Sequence, residues 1–241
     1  MSVIWAICRR DLVAAFTTPL AWLVLACWTM LVDLTFWLTL SRVHGGPGSD
    51  TPLFVESLSS GVFYLILLAP AITMNSFSLE RVHGTMQLLM TVPIREHQLV
   101  VGKFLSAFLM LATLVAATAV QPVILSFISS VPGPQLASGY LGLLSASALF
   151  AALGVWISLL VDSPVAAYVI TFAVIAVLML VGFVGHEGVL GRISETLGLW
   201  PRAMPFFRGE VRLGNIAYFA GAAVAFLVLA HSVLTARRLH G

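Results

Sequence analysis

AAYVITFAVIAVLMLVGFVG, residues 166–185, carries no charged side chain and no polar/apolar alternation. A window of about 20 apolar residues spans the hydrocarbon core of a bilayer as a helix. Closed β-barrels are the other way to satisfy every backbone group in lipid, but their strands run roughly ten residues and alternate in polarity. The continuous run therefore predicts a transmembrane helix. Comparable windows recur along the chain, at 19–40, 58–78, 99–124, 139–160, 165–185 and 215–236.

Composition agrees. Of the 241 residues, 60% are hydrophobic and 9% charged, against roughly 25% charged residues in soluble domains, and the mean hydropathy is +1.03. The expected fold is an all-α integral membrane protein with six transmembrane helices in a single domain, 1–241, with no room for a separate soluble catalytic domain. With alternating spans, Arg9, Arg10, Arg81, Arg95, Lys103, Arg237 and Arg238 share one side, while Arg42, Arg192, Arg202, Arg208 and Arg212 share the other. The positive-inside rule makes the first side cytoplasmic and puts both termini there. Cys8 then faces a reducing compartment and Cys27 lies within the first span, so no disulfide is expected. The apolar run after Arg10 is too long for a cleavable signal.

Outside the spans, residues 3–16 read as a short amphipathic helix. Ile4, Trp5, Cys8, Leu12, Ala15 and Phe16 share one face with Arg10 opposite, and Pro19 turns the chain into the first span. RVHGGPGSDTP (42–52) and SSVPGPQLASG (129–139) are turn sequences. In VDSP (161–164), Asp162 is the expected N-cap of the fifth helix. Residues 186–214 mix apolar and charged side chains. They predict an extracytoplasmic loop, packed on the mouth of the bundle or re-entrant, with a short helix at 194–199 ended by Gly198 and by breaks at Pro201 and Pro205.

Motifs for catalysis are missing. Gly102-Lys103 is followed by Phe104, which breaks the P-loop pattern, and His186-Glu187 lacks the second histidine of H-E-x-x-H. No G-x-S-x-G occurs. Asp33 is the one carboxylate well inside a predicted span. Such an acid marks a water-filled path, a relay or a paired contact, or it is held by a neighbour such as Thr29 or Trp37, or wetted near the outer half of the span. Gln121 beside Pro122 is expected to satisfy backbone freed by the proline.

One stretch remains unexplained by spans alone: ERVHGTMQLLMTVPIREHQLVVGK, residues 80–103. Gly84 and Pro93 set off a short helix between them. Met86, Leu89 and Met90 offer adaptable apolar knobs, rimmed by Glu80, Arg81, Arg95 and Glu96. An ordinary solvated loop has no need of that apolar surface.

Glu80, Gly84-Thr85, Leu88-Leu89, Pro93 and Gly102-Lys103 resemble, in order and spacing, the signature of type-2 ABC transporter permeases. The leader WAICRRDLVAAFTTPLAW (5–22) is similar to that family's elbow helix. FFRGEVRLGNIAYFAGAAVAFLVLAHSVLTARR (206–238) is similar to the last loop and span of its gliding-motility and nitrous-oxide-reductase-maturation branch. The resemblance implies a permease subunit in a bacterial inner membrane, with 80–98 as a cytoplasmic coupling segment that docks on a separate ABC ATPase subunit. Glu80, Arg81, Gly84, Thr85, Met86, Gln87, Leu88, Leu89, Met90 and Pro93 would make that contact. Gln87 stands where the family pattern has Glu, which removes a charge but keeps an acceptor. ATP and Mg would be held by the partner, with no cofactor or metal on this chain and no nucleic-acid partner. A second permease copy or a sister permease would complete the path, with room for an extracytoplasmic accessory protein. The alternative is a non-transporting anchor or mechanotransmitter that couples the ATPase to an extracytoplasmic assembly.

Overall fold

A computed structural model describes residues 3–43, 53–82, 84, 95–127, 133–183 and 188–240. Among these the regular structure is entirely helical. The helices are α1 (Val3–Thr17), α2 (Pro19–Val43), α3 (Leu53–Thr73), α4 (Ser78–Val82), α5 (Glu96–Ala117), α6 (Val120–Ser126), α7 (Gly133–Leu160), α8 (Pro164–Val181), α9 (Gly188–Leu197), α10 (Leu199–Phe207) and α11 (Leu213–His240). Six stretches are long and apolar enough to cross a membrane: Pro19–Ser41, Val55–Val82, Glu96–Ile124, Gly133–Leu160, Pro164–Val181 and Leu213–Ala236.

α7 is the axis of the bundle. In its most apolar stretch 72% of residues are buried, against 22% in α2 and α8 and 17% in α11, and α3, α5, α8, α10 and α11 all pack on it. Lipid tails are as apolar as leucine, so burial of oily surface does little to hold membrane helices together, and close packing through small residues does more. α7 supplies such residues. A Cβ at Gly142 would lie 2.7 Å from Phe206 Cβ, and one at Gly154 would lie 2.1 Å from Thr73 Oγ1. Thr73 folds its hydroxyl onto Ala69 O at 3.0 Å, which lets α3 approach.

Prolines and glycines divide two of the spans. Pro70 lies within α3, which ends at Thr73 before α4 starts. Pro122 leaves its span split into α5 and α6 about Thr118, whose backbone N–H bonds to Val115 O in a tightened turn. α4 stops at Val82, and Gly84 adopts φ +68° with its N–H on Arg81 O at 2.9 Å, a backbone state open to glycine without strain.

At the far end from α4, α9 and α10 cover the bundle. Gly198 separates them as expected, but Pro201 and Pro205 do not break the chain. Pro201 is in the first turn of α10, where its missing N–H has no intrahelical partner to lose, and Pro205 lies inside the helix. α10 ends in a Schellman motif, with Gly209 at φ +90° and Glu210 N–H on Pro205 O at 2.9 Å. Phe206 and Phe207 are fully buried beneath it.

The Gly154 contact makes one expectation sharp. Gly154→Val should lower stability in detergent by about 2 kcal/mol or more through overpacking, read by chemical unfolding, and Thr73→Ala should recover part of the loss. A Gly154→Val chain as stable as the parent would contradict the packing.

Candidate functional site

Of the residues expected to contact an ATPase, Glu80, Arg81 and Gly84 are described. Thr85, Met86, Gln87, Leu88, Leu89, Met90 and Pro93 lie outside the described residues. What the structure does show is the pair of helix ends from which that segment departs and to which it returns.

Lys103 lies two turns into α5 and its side chain is 5% exposed. An ammonium with so little water needs anionic partners, and Lys103 has two. Its Nζ is 2.6 Å from Glu80 Oε1 on α4 and 3.1 Å from Asp11 Oδ2 on α1. Phe77 presents its ring 5.5 Å from the same nitrogen. Arg10 closes the group from the surface, 2.8 Å from Asp11 and 3.3 Å from Glu80. The two cations and two carboxylates balance, which is how a charged cluster survives next to a membrane. Burial alone would lower the Arg10 pKa, but the charges and hydrogen bonds of Asp11 and Glu80 outweigh it and raise it. Burial and the Asp11 charge push up the Cys8 thiol, which is fully buried one turn away.

Gly102 explains why the glycine of the G-K pair matters. A Cβ there would lie 3.0 Å from Ile7 Cβ and 3.3 Å from Ile4 O, so the missing side chain lets α1 seat on α5. Ile7, absent from the predicted apolar face, is the tight contact, while Trp5 on that face is 44% exposed.

Arg81 makes a second tie. Its guanidinium donates to Asp162 Oδ1 at 2.7 Å and to the carbonyl of Leu159, the end of α7. The expected N-cap role of Asp162 is thus corrected. Ser163 is the N-cap of α8, without a side-chain cap bond, and Pro164 opens the helix. Asp162 thus stands one residue before the cap, and its carboxylate takes the Arg81 guanidinium instead. Glu80 and Arg81, adjacent in sequence, therefore anchor α4 to α1 and α5 on one side and to the α7–α8 turn on the other. A cavity of about 260 Å³ opens beside the cluster, its polar end formed by Asp11, Glu80, Lys103 and Ser106 and its apolar walls by α1, α2, α3 and α5.

Asp33 lies elsewhere, toward the far end of α2. Neither expected neighbour holds it: the Thr29 hydroxyl donates to Ala26 O. Gln121 does, through Nε2 on Asp33 Oδ1 at 2.9 Å, while Ser57 Oγ donates to Gln121 Oε1 at 2.8 Å. The Gln121 side chain thus bridges helices rather than repairing backbone at Pro122.

The ionic cluster was hidden in the sequence, since Glu80 is 70 residues from Arg10 and 23 from Lys103. The available signal was Lys103 itself, a cation at the start of an apolar span in a chain with few carboxylates. Lys103→Met should cost about 3 kcal/mol of stability, because Glu80 and Asp11 would be left to share the single charge of Arg10. In a cycle with Glu80→Gln the pair should show coupling of about 1.5 kcal/mol or more in unfolding measurements. Strict additivity would contradict the pairing.

The N-terminal helix α1, the paired helix ends on either side of the segment and six stretches fit to cross a membrane among the described residues now stand as geometry. A search of curated proteins finds no match to the chain. Residues 39–235 match the family described as ABC-2 family transporter protein. This is most of the 241-residue chain, and it belongs to that family, whose members are multi-pass membrane subunits of ABC transporters.

Proposed function

We propose that the chain is the permease of a bacterial ABC exporter of the inner membrane, in the branch its last loop and span resemble. Two copies, or one copy and a sister permease, form the path, and two separate ATPase subunits drive it. Residues 80–98 form the coupling segment, on the cytoplasmic side with both termini, and 186–214 gate the outer mouth.

The observation that carries this reading is the tie between the two roots of the segment. Glu80 at its start and Lys103 after its end are bonded at 2.6 Å, and both hold Asp11 or Arg10 of α1. Force on the segment would be passed to both of its roots. It reaches α5 and the elbow through Glu80 and Lys103, and α7 and α8 through Arg81 and Asp162. Closure of ATP between two ATPase subunits would move these elements together and switch access to a path along the first, second and fifth spans. The chain supplies no phosphate-binding motif of its own, so ATP and Mg belong to the partner.

Purified chain should retain an ABC ATPase from the same organism, and Met86→Glu with Leu89→Glu should weaken that binding by about tenfold or more through loss of apolar anchors. Vesicles holding both proteins should show ATP-dependent movement of substrate. Retention unaffected by the double change, or ATP hydrolysis without any flux, would overturn the reading, the latter in favour of an anchor.

A further inference from the structure

We infer that Asp33 and Trp37 form a recognition site for an organic cation, such as the ammonium head of an amphipathic amine, in the outer half of the transport path. The inference rests on the permease reading for its role, but the site itself stands on local chemistry.

Asp33 is 14 residues beyond Pro19 and 8 before Ser41, which puts it about 12 Å along the helix from the far end of the span. An ionised carboxylate at that depth is costly to expose to lipid, yet Asp33 is exposed on the protomer. Its surroundings fix what it can bind. Gln121, 5% exposed, has both ends of its amide committed, with Nε2 on Asp33 Oδ1 and Oε1 taking the Ser57 hydroxyl. The amide cannot be turned round, because its oxygen would then meet the carboxylate, which only accepts. Gln121 is thus a positioning residue that holds Asp33 in one orientation.

The neighbouring hydroxyls offer nothing to Asp33. Thr35 donates to Val32 O at 2.8 Å and Ser60 to Ser57 O at 2.6 Å. Among the described residues, no Lys or Arg pairs with Asp33. Oδ2 is therefore an oriented acceptor with no cationic partner among the described residues. One turn further along the same face, at i+4, Trp37 is 66% exposed, with Met30 at 71% and Leu34 at 49% beside it. A carboxylate one helical turn from an exposed indole, among apolar side chains, suits a cation carried on a hydrophobic body. The carboxylate supplies the charge, the indole supplies cation–π attraction, and the rim takes the alkyl or aryl part. An anionic or neutral cargo would leave the carboxylate uncompensated.

The test uses the full chain in nanodiscs of neutral lipid, with tetraphenylphosphonium and tetraphenylborate as probes of matched size and opposite charge. Equilibrium dialysis should give tighter binding of the phosphonium by about tenfold or more, lost in Asp33→Asn, reduced in Trp37→Ala and largely kept in Asp33→Glu. Equal affinity for the two ions, or a preference untouched by Asp33→Asn, overturns the inference. If Asp33→Asn fails to fold, the ion preference of the parent and its response to Trp37→Ala still decide. Efficient cross-linking between copies through a cysteine at position 33, with no phosphonium binding, also overturns it and makes Asp33 a contact between protomers. No ATPase is present in the assay, so failure here leaves the permease reading standing, and loss of ATPase binding leaves this result unaffected.

Discussion

A buried ammonium sets the terms for one whole end of this molecule. Lys103, 5% exposed, is held by Glu80 and Asp11 at 2.6 and 3.1 Å, and each partner comes from a different helix. Removing water from an ion is expensive, and only well-placed opposite charges offset the cost. The elbow must therefore reach α5, and α4 must end where Glu80 meets it. Gly102 makes the approach sterically feasible, and Gly84 lets the chain turn away immediately afterward. Position and charge thus work together: the glycine of the G-K pair admits the elbow, and the lysine fastens it.

The rest of the bundle is held by a different kind of force. α7 packs through small residues, with Gly142 beneath Phe206 and Gly154 against Thr73 at distances that exclude a side chain. These contacts are numerous, dispersive and short-ranged, suited to a rigid axis. Among the described residues the ionic ties between separate helices lie at one end, where Arg81 also joins the turn after α7. A rigid axis with charged fastenings at one end ties α1, α4, α5 and the α7–α8 turn to one another.

The spans were legible because a run such as 166–185 has only one way to satisfy its backbone in lipid. The helix α1 was legible from Pro19 and the spacing of Ile4, Cys8 and Leu12, and the stop after α4 from Gly84. Long-range pairing was not. Asp162 carries a good local N-cap signal, but nothing near it in sequence announces Arg81, which takes it instead. Pro201 looks like a break until the start of α10 is known, because a proline in a first turn costs no hydrogen bond, while Pro205 lies inside the helix and is tolerated near its end. Gln121 and Asp33 were each noticed, but 88 residues separate them and only the crossing of α2 with the kinked span reveals the bond.

Tied by Lys103, Glu80 and Asp11, α1, α4 and the start of α5 are expected to move as one unit. Spin labels at positions 6 and 101, both exposed in the fold, with Cys8 and Cys27 replaced by alanine, would report the distance between α1 and α5 in the ATPase-bound protein. One narrow distance distribution, unchanged between nucleotide-free and ATP-bound states, is predicted. Two distances whose populations shift on adding ATP would contradict the claim.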